Sequence, residues 1–445
     1  MSDLTPQEQL MLELINRARM DPAGEAKRDH IALNEGLDPG TISSAPKQVL
    51  AGNDDLAISA ANHSKWMLAN NLFQHEETKG SKGYTGVQPW DRMKAAGYVL
   101  GDSGAGENIA WQGTAQTITD AMATQFIIAQ ENGLFIDKGI ADRGHRLNLL
   151  DGDFKEIGIG QELGKYAYQG QTYNSSMVTQ DFAGDSNRTF VTGVVYNDTV
   201  KNDDFFTVGE QVAGAHVSGS GASDTTGSGG GYELLYGSAG SKLIDFDLNS
   251  GTVSVGLKLG ATNVKVDVVN GDEVWADHSL TSVSKNVSEL HALGIGKVDF
   301  KGAGSGQEMF GNSAVNTIKG NGGDDTIDGG GGIDKLYGGT DADTFLFAKG
   351  DTGKTHGKAD SIFDFSTADG DKIDLTQWDA DSKMSGHQSF DFIGSDAFGK
   401  HAGELHVVTT KTDTYVEGDT NGDGKADFSI HLAGVLNLTA GSFDL

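Results

Sequence analysis

The chain has 445 residues, more than one ordinary domain holds. It carries 63 Asp and Glu against 33 Lys and Arg, a net charge of -30 that repels nucleic acid and anionic membranes and attracts divalent cations. Cysteine is absent, which excludes a disulfide framework, a thiol nucleophile and thiolate metal ligands.

The opening stretch MSDLTPQEQLMLELINRAR lacks a basic region followed by an apolar one, so no Sec-type signal is expected from it. No apolar run is long enough for a transmembrane segment. Thr5-Pro6 starts a helix that Leu10, Leu14 and Ile15 continue at helical spacing. Further helices are expected over residues 57–72 and 115–129, and strands around 157–160 and 176–182. Residues 190–300 change character. Alternations such as Val253-Val255-Leu257 and Val264-Val266-Val268, cut by Gly, Asn and Asp, predict a β-sandwich-like section. Within it, the Gly-Ser-rich residues 219–231 predict a loop or linker.

A nine-residue period follows. Gly311, Gly320, Gly329 and Gly338 open four units; Asn316, Asp325, Asp334 and Asp343 hold the sixth place; Ile318, Ile327, Leu336 and Phe345 hold the eighth. Gly302, Gln307 and Met309 mark a weaker unit before them. This is the G-G-x-G-x-D-x-U-x pattern of RTX calcium-binding repeats. Glycine allows a tight left-handed turn, aspartate supplies a hard oxygen ligand, and the apolar place points inward. A flexible linker has no reason to keep three registers in phase. Calcium is therefore expected at Asn316, Asp325, Asp334 and Asp343, with Gly320, Gly322, Gly329 and Gly331. Asp419, Asn421 and Asp423 resemble the start of an EF-hand loop, a further calcium candidate, but Ile430 stands where that loop needs Glu; the alternative is a structural Asx-rich turn. Cytosolic calcium is too scarce to fill such sites, so an extracellular location is expected.

The repeats and the stretches DSIFDFSTADGDKIDLTQWDA (360–380), FDFIGSDAF (390–398), AGELHV (402–407) and EGDTNGDGKADFSIHLAG (417–434) resemble the C-terminal domain of serralysin-type metalloproteases. The resemblance implies a parallel β-roll of two repeats per turn, with Asp325 and Asp343 facing one calcium and Asn316 and Asp334 another. It also implies export, unfolded, by the bacterial type I secretion machinery, directed by an acidic-apolar end, here Ser442-Phe443-Asp444-Leu445. The protease itself is absent. His75-Glu76 is the one His-Glu pair, and position 79 is Lys where a zincin needs His.

LELINRARMDP (12–22), LAISAANHSKWMLANNLFQH (56–75), DRMKAAGY (91–98), GENIA (106–110), DKGIADRGHRLNLL (137–150) and EIGIG (156–160) resemble the CAP superfamily of cysteine-rich secretory, antigen 5 and pathogenesis-related proteins. That resemblance implies an α-β-α sandwich with a cavity lined by two histidines and two acids. His75, Glu107 and His145 match three of the four; Asp137 or Glu131 is the fourth. Such a set suits zinc or another divalent ion, or general acid-base work on water. His63, a lone helical histidine, reads as a core or surface residue.

The expected organisation is a CAP domain (1–188), a β-sandwich-like section (189–300), a calcium β-roll (301–346) and a serralysin-like secretion domain (347–445). The expected function is that of a secreted calcium-binding protein whose CAP module binds an extracellular ligand. The alternatives are a metal-assisted hydrolase using His75, Glu107 and His145, or a structural surface or matrix protein.

Overall fold

The computed structural model describes residues 3–445 as two compact units. The first runs to Thr252 and takes in Leu259–Gly271; the second comprises Val253–Lys258 and Asp272–Leu445. Residues 189–300 are thus shared between the two.

The first unit begins with helix α1 (Pro6–Met20). Thr5 caps it in a reciprocal capping box with Glu8, and Pro6 sits at the first turn, where its missing N–H costs nothing. Helix α2 (Pro22–Arg28), strand β1 (Ala51–Gly52) and helix α3 (Asp54–Asn70) follow, then helix α4 (Pro89–Ala96), strand β2 (Ala105–Thr114) and helix α5 (Asp120–Ile136). α5 starts five residues later than its sequence pattern suggests because Thr119, not an earlier residue, accepts the first free N–H. Helix α6 (Gly144–Leu149) leads into a long hairpin, β3 (Glu156–Tyr168) and β4 (Gln171–Ala183). The four strands form one sheet in the order β1-β3-β4-β2, which leaves β2 at an edge.

The two-residue period of a strand assigns the faces of this sheet. Thr179 on β4 reaches Ser64 of α3, whereas Ser176 and Gln180 reach Gln130 of α5 and Met11 of α1. α3 therefore covers one face and α1 and α5 the other, an α-β-α sandwich. Contact with α3 is close because β3 presents Gly158 and Gly160 to it. A Cβ on Gly158 would lie 1.9 Å from the Leu56 carbonyl carbon, and one on Gly160 2.2 Å from the Ala61 nitrogen.

Past Ala183, the fully buried strand Thr189–Tyr196 pairs antiparallel with Gly231–Tyr236 and parallel with Val264–Val269. This strand group is fixed to the helical layers by buried polar contacts. Lys265 Nζ lies 2.6 Å from Glu13 Oε2 and 2.7 Å from Asp267 Oδ1, and Asn263 donates to the Val49 and Lys155 carbonyls. Burial alone would lower the Lys265 ammonium, but Asp267 and Glu13 outweigh it and hold the group charged. The Gly-Ser-rich 219–231 is not a linker. His216–Gly219 and Ala222–Thr225 pair as a hairpin whose turn is made by Ser220 and Gly221 at positive φ.

The second unit is a parallel β-roll. In one sheet Glu273–Ala276, Glu289–Ala292, Glu308–Phe310, Thr326–Asp328, Thr344–Leu346, Lys372–Asp374 and Phe443–Asp444 pair in parallel succession. In the other, Phe300–Lys301, Thr317–Gly322, Lys335–Thr340, Asp360–Ile362 and Phe428–Ala433 do the same, and Asp413–Asp419 and Glu404–Thr409 extend it antiparallel. Thr317 pairs with Lys335 and Thr326 with Thr344, so two nonapeptides make one turn. The eighth-place residues form two inward ladders. Met309, Ile327, Phe345 and Ile373 line one, and Phe300, Ile318, Leu336 and Ile362 the other, all at 2% exposure or less. Each such side chain contributes about 1.5–3 kcal/mol by leaving water.

The glycine packing carries a prediction. Gly160→Ala forces the β3 backbone off α3 and should destabilise the protein by about 1–3 kcal/mol. Gly133→Ala, inside α5 with nothing within 4 Å of the new methyl, should stabilise it by up to about 1 kcal/mol. Thermal melts of both variants check this; equal effects would contradict the close-approach role of Gly160.

Candidate functional site

Four elements build the first candidate site. His75 lies in the loop after α3, and its Nδ1 sits 2.8 Å from Oε1 of Glu107 on β2. The imidazole is 48% exposed and the carboxylate 1%, so the pair presents a buried acid to solvent through a histidine. Arg92 of α4, itself fully buried, donates to Glu107 Oε2 and to the His75 carbonyl. Burial alone would push the Glu107 carboxyl up, but the His75 hydrogen bond and the Arg92 charge outweigh it and hold it below the usual range. Directly across the strand pair stands Asp181 of β4. Complete burial, and after it the Glu107 charge, push the Asp181 carboxyl well above its ordinary value.

His63 belongs to the same network. Its Nδ1 lies 3.1 Å from Glu77 Oε1, its Nε2 3.0 Å from the Gln74 carbonyl and 3.9 Å from Glu107 Oε1. The ring stacks on Trp66 and is wholly buried. Glu77, Arg92 and Asp181 are the members that sequence reasoning passed over. His63 falls one turn before Trp66-Met67 on the apolar face of α3, which reads as core; the cross-strand pairing of Asp181 with Glu107 is a register fact that no local motif announces.

The second histidine is held separately. Asp137 ends α5 in a left-handed conformation, and its Oδ2 accepts the His145 and Arg146 N–H groups that open α6. Its Oδ1 lies 2.8 Å from His145 Nδ1. Burial raises the Asp137 carboxyl, but the His145 side chain and the His145 and Arg146 N–H groups together more than reverse it. Both residues line a cavity of about 240 Å³ with Trp111, Gln130 and Leu134. The carboxylate that meets His145 is thus that of Asp137. Glu131 is fully buried beside Glu25 and Asp29, and burial, then those charges, push it up to about 8. His75, Glu107, Asp137 and His145 form two His-acid pairs; no three of them bring ligand atoms within 4.8 Å of one another.

The repeats form the second candidate site, a double column of aspartates. Asp325 Oδ1 accepts the Gln307 N–H at 2.8 Å, Asp343 Oδ1 the Asp325 N–H at 3.0 Å, and Asp371 Oδ1 the Asp343 N–H at 3.1 Å. On the other edge, Asp334 accepts from Asn316 at 2.7 Å and Asp360 from Asp334 at 2.8 Å. The remaining oxygens, Oδ2 of Asp325, Asp334, Asp343 and Asp360, are buried without a hydrogen-bond partner. Three of them point at the first glycine of their own repeat. A Cβ on Gly320, Gly329 or Gly338 would lie 2.1, 2.7 or 2.2 Å from that oxygen. These glycines are required by close approach. The left-handed turns expected of them fall instead on Gly323, Gly330, Gly332 and Gly339, while Gly322 and Gly331 also lack a positive φ. Asn316 differs from the aspartates: its amide donates to the Val298 carbonyl and accepts the Asn312 N–H. Asp360 and Asp371 extend the columns at spacings of 26 and 28 instead of 18, so the nonapeptide register does not find them. The Asp419 carboxylate accepts the N–H groups of Asn421, Gly422 and Gly424, and Asp423 accepts from Lys425, which is an Asx-type turn satisfied by its own backbone.

The model of the cysteine-rich secretory protein family matches residues 12–182. Residues 12–182 are a CAP domain. Among solved structures, an extracellular protein containing an SCP domain from Bacillus anthracis str. Ames is 26% identical over 31% of this chain, with a TM-score of 0.21; the match spans about a third, 34%, of that protein's length. Two subunits of the Azotobacter vinelandii mannuronan C5-epimerase AlgE6 are also similar. R3 is 24% identical over 33% of this chain and 77% of its own, at a TM-score of 0.24. R2 is 26% identical over 34% and 86%, at 0.23. No curated protein matches the chain.

The CAP domain's buried Glu131 yields a pH prediction. Its folded value, about 8, lies above the ordinary 4.5, so the folded domain binds the extra proton between those values. Stability contributed by the protonated acid is complete below about pH 4.5 and is lost as pH rises through 8. Glu131→Gln, which keeps shape and neutrality, should match the wild type at pH 5 and melt higher at pH 9. A wild type as stable as the variant at pH 9 would show that Glu131 ionises without cost.

Proposed function

We propose that this chain is a calcium-dependent extracellular protein in which an RTX-type roll, exported through a type I system, carries a CAP module that binds an extracellular ligand. One observation carries the calcium reading: four buried aspartate oxygens without partners, three of them facing a glycine that leaves room beside it. Burial, before any neighbouring charge, raises Asp325, Asp334 and Asp343 to about 7 and Asp360 to about 8, so these groups resist ionising unless a cation joins them. Hard carboxylate and carbonyl oxygens are the donors calcium takes. Asp325, Asp334, Asp343 and Asp360 would hold it, together with backbone oxygens of the glycine turns.

The export reading follows from the resemblance of residues 360–434 to the serralysin-type C-terminal domain. Phe443 is buried against the roll, and Lys372 holds Asp444 at 2.7 Å. An acidic-apolar signal so placed is legible to a secretion machine only while the roll is unfolded. Low calcium inside the cell would keep it so, and high calcium outside would close it. No described helix is long and apolar enough to cross a membrane.

For the CAP module, two separate His-acid pairs favour binding over metal-assisted hydrolysis, which needs three ligands about one ion and an open position. Zinc at either pair would have two protein ligands and bind weakly.

The calcium reading predicts a pH signature. Without metal, the folded roll binds more protons than the unfolded chain between about pH 4 and 7, so its stability falls as pH rises through that window. Calcium should therefore raise the melting temperature of the full chain strongly at pH 8 and little at pH 5. Asp325→Asn and Asp343→Asn share one column, so the double variant should lose much less of the calcium effect than the two singles summed. Circular dichroism melts with calcium and with chelator check both; the reading fails if chelator leaves the second unit's β signal and melting unchanged at pH 8.

A further inference from the structure

Ahead of the aspartate columns, the outer face of the roll carries a different cluster. Val274, Leu290 and Met309 point inward and are fully buried, so their neighbours in sequence face outward. Register sets Glu273 beside Glu289 and Glu289 beside Glu308, and sets Trp275 beside His291 and His291 beside Phe310. Ligand atoms of Glu273, Glu289 and His291 all lie within 4.8 Å of one another. His291 Nε2 is 2.9 Å from Glu289 Oε2, with the two side chains 19% and 34% exposed. The imidazole is clamped between two rings, 4.0 Å from Trp275 at 9° and 4.6 Å from Phe310 at 18°. Its plane, and so the direction in which its nitrogen points, is fixed by packing.

We propose that Glu273, Glu289 and His291 bind zinc on the outer face of the roll. Three observations converge. The donors are one imidazole nitrogen and two carboxylates, a set matched to a borderline ion with a fourth, solvent-filled position. Calcium, which takes six to eight oxygens, fits this set poorly. The spacing is right: ligands about 2.0–2.2 Å from zinc in a tetrahedron stand roughly 3.3–3.6 Å apart, inside the observed spread. The register also sets Glu273, Glu289 and Glu308 in one row on adjacent strands, which gathers carboxylates on this face.

The position suggests what the ion does. The Gln307 side chain stands where the later repeats have aspartate. Its amide donates to the Val287 carbonyl and accepts the Ala303 N–H, so the aspartate column stops there. Zinc would tie strand 273–276 to strand 289–292, the turn that the columns do not reach.

The test uses the full chain in saturating calcium, with His75→Ala/His145→Ala introduced to remove the CAP histidines as competing ligands. Zinc is titrated calorimetrically and bound metal counted. Glu289→Gln and His291→Phe each remove one ligand; the second keeps a ring between Trp275 and Phe310. Each should weaken zinc binding at least about tenfold and lower the count by one equivalent, with calcium-dependent melting unchanged. The Trp275 fluorescence change on zinc addition, taken as the difference from Trp275→Phe, should disappear in both. Undiminished uptake by both folded variants would overturn the proposal, as would no zinc bound by the parent in about tenfold excess. Neither result touches the calcium reading, which rests on residues 325 to 371.

Discussion

A carboxylate placed in a protein interior must be neutralised, hydrogen-bonded or joined by a cation. The second unit depends on how it meets that constraint. Asp325, Asp334, Asp343 and Asp360 each use one oxygen to fasten the turn before them and leave the other bare. The glycine opposite leaves space because a methyl there would overlap the bare oxygen. The 18-residue turn stacks these units, so the charge problem repeats at every level and cannot be relieved by local rearrangement. On the proposed reading, calcium supplied from outside would meet it and would make folding of this half conditional on the surrounding medium.

The CAP domain meets the same constraint from within. Glu107 is paired with Arg92 and meets His75, burial pushes the Asp181 carboxyl up, and in the same unit Glu13 and Asp267 close on Lys265. Removing one partner from such a group leaves a buried charge and costs about 3–5 kcal/mol. A domain with its own counter-charges should stay folded when calcium varies. The His75–Glu107 pair is both part of that brace and the place where it opens to solvent, which is where a ligand would first meet a preorganised polar group.

Much of this was legible in the residues. The nine-residue register gave the inward-pointing eighth place; the two-repeat turn came from the resemblance to the serralysin-type roll, because a period alone does not say how many units close one turn. The CAP motifs located His75, Glu107, His145 and, through the residues before GIADRGHR, Asp137. What stayed hidden depended on long-range register. Asp181 acquires its role by standing opposite Glu107 across a hairpin; Asp360 and Asp371 join the columns after longer excursions that break the period. The roles of the repeat glycines were half visible: the need for glycine showed, but whether for positive φ or for close approach is decided by where the aspartate oxygen points. Asn316 shared the sixth place with aspartates, yet its amide is satisfied by backbone groups, a distinction between amide and acid that period cannot make.

The central claim is that the two halves differ in where their counter-charges come from. Amide hydrogen exchange on the full chain, read segment by segment with calcium and then with chelator, tests it most directly. Residues 12–182 should stay protected in both media, while residues 302–374 should be protected with calcium and exchange freely without it. Equal protection of 302–374 in both media would contradict it.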